Sequence, residues 1–231
     1  MPGHLLDYLQ DTFELGKNDI LPEGRYHNNF DFFKFPDFGM NHLKYKPLPP
    51  LPHPGLHEAE DPFEVIRTKD QLLHFPYHSY HSVVNFFEKA AEDPDVTHIK
   101  VIQYRVARHS RILESLIHAV ARGKQVSVFV EIKARFDEAA NLEWGEKLEK
   151  AGVRVHYSFP GVKVHSKLAL IRRIENGKPQ LYTYLATGNF HEETAKIYSD
   201  FGLFSVDPRL TGEVSNVFSF LENIKPPKEE F

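Results

Sequence analysis

Alternating β-branched and helical segments between residues 97 and 157 restrict the fold of this 231-residue chain more than any other feature. Three short runs rich in Val and Ile are predicted strands, and they cover 97–106, 125–132 and 153–157. Two helices are predicted between them, one capped by Ser110 and stopped at Gly123, the other covering 137–151. Strand–helix–strand units of this kind predict parallel strands with helices packed on the sheet.

The segment after residue 160 predicts antiparallel strands. A run over 164–171 is joined by the hairpin signal Asn176-Gly177 to a run over 180–187. A short helix near 191–197, a strand over 201–206 and a last helix over 208–221 complete the pattern. The predicted fold class is α/β, with a mixed β-sheet and helices on both of its faces.

Residues 1–60 are predicted to form an irregular segment rich in proline and phenylalanine. After a helical candidate over 5–15, five phenylalanines precede a proline-rich piece over 47–54. Proline cannot lie inside a helix or a central strand, so we interpret this piece as a stiff linker, with a ligand for a proline-binding domain as the alternative. We divide the chain into 1–60 and a domain over 61–231, whose charged, proline-containing tail resembles an opened linker.

Composition excludes several classes of protein. The chain has no cysteine, which rules out disulfides, thiolate metal sites and a cysteine nucleophile. A formal charge of -4 offers no general attraction for nucleic acid, so an anion site would need a local cluster of basic residues. No apolar run approaches the ~18 residues of a membrane span, and the N-terminus lacks the basic region of a signal peptide. We therefore expect a cytoplasmic protein without a nucleic-acid partner.

A histidine and a lysine, His165 and Lys167, lie two positions apart in the run V-H-S-K-L-A-L-I. In a strand, alternation would send both side chains to the same face. A neutral imidazole is a competent nucleophile toward phosphorus and an ammonium group attracts phosphate oxygens, so the pair fits a phosphoryl-transfer site. The alternative is a histidine hydrogen-bonded within the sheet, beside a lysine at the strand edge.

Other polar groups are predicted near the same ends of the strands. The segment A-T-G-N-F can offer backbone N–H groups and the Asn189 amide to an anion. Arg105, Arg108 and Arg111 follow one predicted strand, and Arg135 follows its neighbour. Because open α/β sheets bind ligands at the carboxyl ends of their strands, these arginines fit a phosphate clamp. Taken singly, each is typical of a solvated surface charge.

Two further candidates rest on weaker patterns. His78 and His81 are three residues apart, a spacing that suits a metal on one helix face, but no third ligand stands at a diagnostic distance. Tyr198 could stack on a nucleotide base or lie in the core. The chain lacks G-x-x-x-x-G-K-[ST], G-x-G-x-x-G and G-x-S-x-G motifs, so a bound nucleotide would be held without a Walker loop.

The pattern H-x-K followed by G-x-N resembles the phospholipase D superfamily, in which such histidines attack phosphorus. That family has an aspartate five residues after the lysine, where this chain has Arg172. The departure argues against a lipid-cleaving or nuclease member, and a phosphodiesterase is kept as an alternative hypothesis that Arg172 disfavours. The resemblance implies a phospholipase D-like mixed sheet.

A longer series of motifs resembles the long-chain, phosphohistidine type of polyphosphate kinase. In order from about residue 20 they are G-R-Y-H-N-N-F-D-F-F-K-F-P, K-P-L-P-P-L, F-P-Y-H-S-Y, Y-R-V-A, A-R-F-D-E-x-A-N, P-G-V-K-V-H-S-K, A-T-G-N-F-H-E-x-T-A and I-Y-S-D-F-G-L. The resemblance implies that 1–60 is the end of a head region with a linker, and that 61–231 is the first C-terminal catalytic domain.

This resemblance also implies roles for individual residues. His165 would be the histidine that becomes phosphorylated, and Tyr198 the tyrosine that contacts adenine. Arg105 and Arg135 would lie at the magnesium and phosphate site. A guanidinium is a permanent cation without a free lone pair, so we expect both arginines to bind phosphate oxygens beside the ion. To these we add three phosphate contacts of our own, namely Lys167, Asn189 and His78.

The implied reaction is reversible transfer of the γ-phosphate of ATP to inorganic polyphosphate, with ADP as product and Mg²⁺ as cofactor. The N-terminal domain, most of the head domain and a second C-terminal domain with its own histidine would lie outside this chain, so we expect an incomplete, weakly active or inactive fragment. The full-length enzyme would be an oligomer at the periphery of the inner membrane. A non-catalytic domain that only binds phosphate or polyphosphate is the alternative from another class.

Overall fold

The computed structural model describes residues 1–24, 28–57, 59–107, 109–131, 138–158 and 163–223. The chain divides into two compact units, Met1–Pro47 and Leu48–Phe231. This division lies within the predicted proline-rich linker, and the domain boundary at residue 60 stays a prediction.

The first unit contains one α-helix and several short turns of 3₁₀-helix. Helix α1 covers Gly3–Phe13, close to its predicted position, and the 3₁₀ turns cover Lys17–Asp19, Asn29–Lys34 and Asn41–Leu43. Phe32, Phe35 and Phe38 are each more than 60% exposed. These three described phenylalanines therefore do not belong to a core.

The second unit is built on a seven-stranded mixed sheet with the order β1-β7-β6-β5-β2-β3-β4. Its strands are β1 (Gln71–Phe75), β2 (Val96–Gln103), β3 (Gln125–Val130), β4 (Arg154–Tyr157), β5 (Lys167–Glu175), β6 (Lys178–Ala186) and β7 (Asp200–Ser205). Strands β2, β3 and β4 are parallel, and every other neighbouring pair is antiparallel. The predicted mixed sheet is therefore confirmed.

Helices cover both faces of this sheet, as the strand pattern predicts. They are α2 (Pro62–Thr68), α3 (His81–Glu92), α4 (Arg111–Ala121), α5 (Glu138–Lys150) and α6 (Pro208–Asn223). Apolar residues of α2 to α5 share one core with the sheet, whereas α6 packs through Val214, Phe218 and Leu221 into a second core that contains Phe129 and Val164. In the part of the chain that the structure describes, no helix is both long and apolar enough to cross a membrane.

Local signals in the sequence account for several of these element ends. The Ser110 hydroxyl accepts a hydrogen bond from the Leu113 N–H at 3.3 Å and caps α4. Gly123 follows that helix with a φ of 81°, a conformation that side chains disfavour. Asn176 and Gly177, with φ of 50° and 76°, form the tight turn between β5 and β6.

Two predictions about helices differ from the structure. The helix expected near 191–197 is a turn followed by one 3₁₀ turn, Thr194–Lys196. His81 is the first residue of α3, whereas His78 lies outside the helix and forms a bridge with Leu51. The two histidines therefore do not share one helix face, and the described residues contain no group of three or more metal-binding side chains.

Candidate active site

Seven strand ends meet at one edge of the sheet, which we call the site edge. Because β2, β3 and β4 are parallel and the other pairs alternate, β1, β2, β3, β4 and β6 end there while β5 and β7 begin there. The edge is formed by Phe75, Gln103, Val130, Tyr157, Lys167, Ala186 and Asp200. Six of the predicted site residues in the described ranges lie within four residues of one of these ends, namely His78, Arg105, His165, Lys167, Asn189 and Tyr198.

The spatial relationship between His165 and Lys167 differs from the one predicted from the sequence. Strand β5 begins only at Lys167, so His165 precedes the strand and is exposed, whereas Lys167 is 4% exposed. The prediction that a strand begins at residue 164 and includes His165 is therefore wrong. Instead, the Lys167 ammonium donates a hydrogen bond to the backbone carbonyl of His165.

The ring of Tyr104 contacts both residues. Its centroid lies 4.7 Å from that of His165 in an edge-to-face arrangement, and 4.9 Å from the ammonium of Lys167. Such aromatic and cation–π contacts orient the rings and the charge. Sequence reasoning missed this role because Tyr104 falls in the predicted strand 97–106, although it directly precedes the candidate Arg105.

The charges around His165 favour its neutral form. Desolvation, followed by the positive charges of Lys167, Lys163 and Arg105, lowers the pKa of His165 below its ordinary value of 6.5. A neutral imidazole has the free lone pair that a nucleophile needs. The surroundings of His165 therefore favour a ring that carries this lone pair at neutral pH.

Lys167 titrates close to physiological pH. Burial lowers its pKa to about 8, the carboxylate of Asp200 opposes this change, and the charge of Arg105 adds to it. The ammonium therefore stays largely protonated at pH 7 but loses its charge in mildly alkaline solution. Asp200, the first residue of β7, is a part of this electrostatic system that sequence reasoning missed.

Arg105 lies half-buried in the turn after β2. The side-chain amide of Gln103 donates to the carbonyl of Arg105 and, at 3.4 Å, to that of Phe190. Gln103 thus ties the loop that carries Arg105 to the loop that carries Asn189. The loop after β2 and the loop after β6 therefore lie next to each other at the site edge.

The other predicted arginines do not add to the described site. Arg108 and Arg135 lie outside the described residues, so their positions stay predictions. Arg111 is the first residue of α4, and its guanidinium forms an ion pair with Glu88 of α3 at 2.7 Å. Its charge therefore links two surface helices.

The segment around Asn189 presents a buried acceptor and a fixed carboxylate. Asn189 Oδ1 is buried and accepts no hydrogen bond from the described residues. A side chain on the preceding Gly188 would come within 2.6 Å of an Asp200 carboxylate oxygen, so this position has room only for glycine. Asp200 in turn accepts a hydrogen bond from the hydroxyl of Thr187 at 2.8 Å.

Tyr198 is an exposed residue and not a core residue. It follows the 3₁₀ turn, its N–H donates to the carbonyl of Thr194 at 3.0 Å, and 55% of it is accessible to solvent. Of the two alternatives left open for Tyr198, the core position is therefore excluded, and one face of the ring is open to a planar ligand. The side chain lies two residues before Asp200, at the start of β7.

His78 lies near the site edge but has partners of its own. Its Nδ1 accepts a hydrogen bond from the His74 N–H at 3.0 Å, and its ring lies edge-to-face on His53 with centroids 5.2 Å apart. Among the described contacts, none joins it to His165 or to Lys167. Its predicted contact with phosphate stays a prediction.

Comparison with known proteins identifies the family of this arrangement. A family model described as polyphosphate kinase C-terminal domain 1 matches residues 61–227. The chain belongs to the polyphosphate kinase family. Polyphosphate kinase from Escherichia coli strain K12 is 46% identical over 226 residues, and that from Yersinia pestis is 44% identical over 224 residues. Each match covers 96% of this chain and 33% of the relative, so the chain spans about a third of the length of these polyphosphate kinases.

Solved structures agree with this assignment. The crystal structure of polyphosphate kinase from Porphyromonas gingivalis is 39% identical, has a TM-score of 0.73, and is matched by 100% of this chain over 37% of its own length. A phospholipase D family member, Nuc from Salmonella typhimurium, has a TM-score of 0.51 at 16% identity over 67% of this chain and 94% of Nuc. The second match shows the fold alone, and the predicted phospholipase D-like sheet is confirmed.

Proposed function

We propose that this chain is the part of a polyphosphate kinase that carries the phosphorylated histidine. In the full-length enzyme, a ring nitrogen of His165 attacks the γ-phosphorus of ATP, and the N–P bond forms as the bond to ADP breaks. A terminal oxygen of polyphosphate then attacks the same phosphorus, the N–P bond breaks, and neutral histidine returns. The reverse reaction follows the same path. The observation that carries this proposal is the exposed His165, set among cations that lower its pKa, in a chain of this family.

Positive charge near His165 suits the transfer of a phosphoryl group. Charge spreads over the oxygens of that group as it transfers, so fixed cations stabilise the transition state. Lys167 and Arg105 supply such charge from the site edge, since both act on the pKa of His165. We assign the same role to Arg135 from the family resemblance.

Magnesium fits this site through phosphate oxygens. The described residues contain no group of three or more His, Asp or Glu side chains placed to hold a metal ion, so these described side chains do not form a metal cage at the site. Mg²⁺ commonly binds phosphates with few protein ligands. Asn189 Oδ1 is a buried oxygen acceptor available at the site edge, and Arg105 and Arg135 would bind the same phosphates. When bound, the ion neutralises charge on the transferring group.

The nucleotide and the remaining domains complete the proposal. The exposed ring of Tyr198 would stack on adenine, and His78 would contact phosphate. Because the chain covers about a third of its relatives, we expect it alone to make little or no polyphosphate. The full-length protein would add the N-terminal, head and second C-terminal domains and form an oligomer in the cytoplasm, at the periphery of the inner membrane.

The phosphodiesterase alternative is disfavoured by the family match. Arg172, at the position of the missing aspartate, lies about 17 Å along β5 from Lys167. Its guanidinium donates to the Thr97 hydroxyl at 3.4 Å, at the opposite end of the sheet. The aspartate that this chain lacks would therefore lie far from His165. The preference for a kinase over a phosphodiesterase rests on the extended similarity to polyphosphate kinases.

Location of the phosphorylated residue tests the proposal. The full-length enzyme is incubated with ATP labelled at the γ-phosphate, and the acid-labile, base-stable label is mapped by mass spectrometry. The label is expected on His165 and should disappear in His165→Ala. His109→Ala is the matched control, because it removes an exposed histidine from the loop after β2.

The same experiment separates the alternatives. Retention of the label in His165→Ala would disprove the assignment of the nucleophile. Hydrolysis of a phosphodiester that depends on His165, without transfer from ATP, would favour the phosphodiesterase. Binding of polyphosphate by a protein that never acquires label would favour a non-catalytic binding domain.

A further inference from the structure

A buried carboxylate follows β3 next to the candidate site. Glu131 is only 1% exposed, although removal of a charged carboxylate from water is costly unless hydrogen bonds replace the water. It lies directly after the last residue of β3, at the site edge. The mechanism proposed above does not use this group.

The Glu131 carboxylate is bonded to the backbone that leads into His165. One oxygen accepts a hydrogen bond from the Ser158 hydroxyl at 2.7 Å, and the other accepts from the backbone N–H of Val164 at 3.0 Å. Val164 is 8% exposed and packs in the core beneath α6. The residue just before His165 is therefore held both by its side chain and by its amide.

The backbone of Glu131 is held equally firmly. Its N–H donates to the carbonyl of Gln103 at 3.0 Å, and its carbonyl accepts from the side-chain amide of Asn141 at 2.8 Å. The same amide donates to the carbonyl of Tyr104 at 2.9 Å. Since the Tyr104 ring packs on His165, this network supports the histidine from two sides.

This support matters because His165 stands outside the sheet. Ladder hydrogen bonds of β5 begin at Lys167, so pairing between strands does not fix the backbone of the histidine. The described polar contacts of that backbone are the Val164 amide on one side and the bond from Lys167 to the His165 carbonyl on the other. Loss of the first contact would leave the imidazole less firmly positioned for its attack on phosphorus.

We propose that Glu131 is a positioning residue that sets the place of the His165 ring through the Val164 amide. The inference rests on the proposed function for its kinetic consequence. Its action is geometric, because the carboxylate contacts Val164 and not the imidazole. A nucleophile displaced by about 1 Å can lose on the order of 100-fold in rate.

Three variants of the full-length enzyme separate geometry from charge. Glu131→Met keeps the length of the side chain but cannot accept hydrogen bonds. Glu131→Gln loses the charge, but its carbonyl can accept from Val164 while its amide donates to the Ser158 hydroxyl. Ser158→Ala, the matched control, removes the other bond of the same carboxylate and leaves the Val164 contact in place.

The measured quantities are the single-turnover rate of phosphate incorporation at His165, the ATP dissociation constant and hydrogen exchange at the Val164 amide. Glu131→Met should slow incorporation by about 10- to 100-fold and speed exchange at Val164, without weakening ATP binding. Glu131→Gln and Ser158→Ala should both react at close to the wild-type rate. Should Glu131→Met fail to fold, Glu131→Asp, which keeps the charge but shortens the side chain, should show the same loss of rate.

Several outcomes would overturn the inference. A wild-type rate in Glu131→Met, or in Glu131→Asp where it replaces the methionine variant, would show that the contact does not position His165. Equal losses in Glu131→Met and Ser158→Ala, in proportion to their thermal stability, would show a purely structural role. A loss in Glu131→Gln as large as in Glu131→Met, with normal exchange at Val164, would show that the charge acts instead. If wild-type His165 never acquires label, the proposed function fails, while hydrogen exchange still tests the contact.

Discussion

The ammonium of Lys167 donates a hydrogen bond to the backbone carbonyl of His165, so the lysine fixes the chain that carries the histidine. The same ammonium lies over the Tyr104 ring, which in turn contacts the imidazole. In the proposed reaction, Lys167 would therefore attract phosphate and also support the backbone of the nucleophile. Its protonation state should consequently control the rate of that reaction.

The pH dependence of kcat/KM for ATP should show an alkaline limb set by Lys167. Burial lowers its pKa to about 8, so the ammonium loses its proton, and with it the attraction for phosphate, as pH rises through about 8. The carboxylate of Asp200 raises this pKa, so Asp200→Asn should lower it further and move the alkaline limb to lower pH. A pH–rate profile of the full-length enzyme, recorded for the wild type and for Asp200→Asn, measures the position of this alkaline limb.

A control variant checks the assignment of that limb. Lys167→Arg keeps a positive charge at all accessible pH values, so any activity that it retains should lack the limb near pH 8. If the alkaline limb of the Asp200→Asn variant stayed in place or moved to higher pH, Lys167 would not be the group whose deprotonation sets that limb.

The acid limb of the same pH–rate profile should depend on His165. Desolvation and the charges of Lys167, Lys163 and Arg105 lower its pKa, so the imidazole should stay neutral to a lower pH than an ordinary histidine. Its reaction with diethyl pyrocarbonate, which needs the neutral ring, should therefore reach half of its maximal rate below pH 6.5. Lys163→Gln removes one of these charges and should move the midpoint to higher pH.

An internal reference is available for this measurement. His109 is exposed and lies in the same region of the chain, so its modification can be followed by mass spectrometry in the same sample. If Lys163→Gln moved the His165 midpoint to lower pH, or moved the His109 midpoint equally, the electrostatic explanation would be wrong.

Local patterns in the sequence predicted most of the sheet, since they depend on interactions between near neighbours. Ser110, Gly123 and the Asn176-Gly177 turn act within a few residues of themselves, and each marks the end of the element that it was expected to mark. The start of β5 was wrong for the opposite reason. Val164 continues an apolar run, but its N–H bonds to Glu131, 33 residues away in sequence.

In the candidate site, too, local features could be predicted and long-range contacts could not. His165, Lys167, Arg105 and Asn189 could be selected because their residue types and their places after strands suit phosphate chemistry. The parts that could not be predicted are those created by packing between distant segments, such as the contact between Tyr104 and His165. Whether Tyr198 was exposed could not be read from its neighbours either, because a tyrosine after a short helix suits a core or a surface.

Tyr198 should contribute to nucleotide binding through its exposed face. Replacement by Ala is expected to weaken ATP binding to the full-length enzyme by about 1–3 kcal/mol, the usual range for loss of a base stacked on an aromatic ring. Tyr198→Phe keeps the ring and should bind nearly as well as wild type. Fluorescence titration with an ATP analogue measures these affinities.

The neighbouring residue provides a matched control for that titration. Ile197 is 56% exposed, close to the 55% of Tyr198, so Ile197→Ala removes a similar apolar surface without an aromatic ring. An equal loss of affinity in Ile197→Ala and Tyr198→Ala would show that stacking is not the cause.

Close packing of Gly202 against Tyr184 should make β7 intolerant of any side chain at that position. A Cβ atom on Gly202 would lie 2.3 Å from the hydroxyl oxygen of Tyr184 and 2.7 Å from a ring carbon, and Tyr184 is 1% exposed. Because the ring cannot move without disturbing the core, Gly202→Ala should destabilise the chain by about 1–3 kcal/mol. Addition of Tyr184→Phe removes the nearest clash and should recover part of this loss.

Urea unfolding of these variants measures the effect, with Gly212→Ala as the control. Gly212 lies in α6, and a Cβ there would meet no atom within 4 Å. Alanine in a helix is favoured over glycine by about 0.5–1 kcal/mol, so Gly212→Ala should stabilise the chain while Gly202→Ala destabilises it. Equal and small effects at both glycines would mean that β6 and β7 adjust to the added methyl group, and that Tyr184 is not held rigidly beneath the site edge.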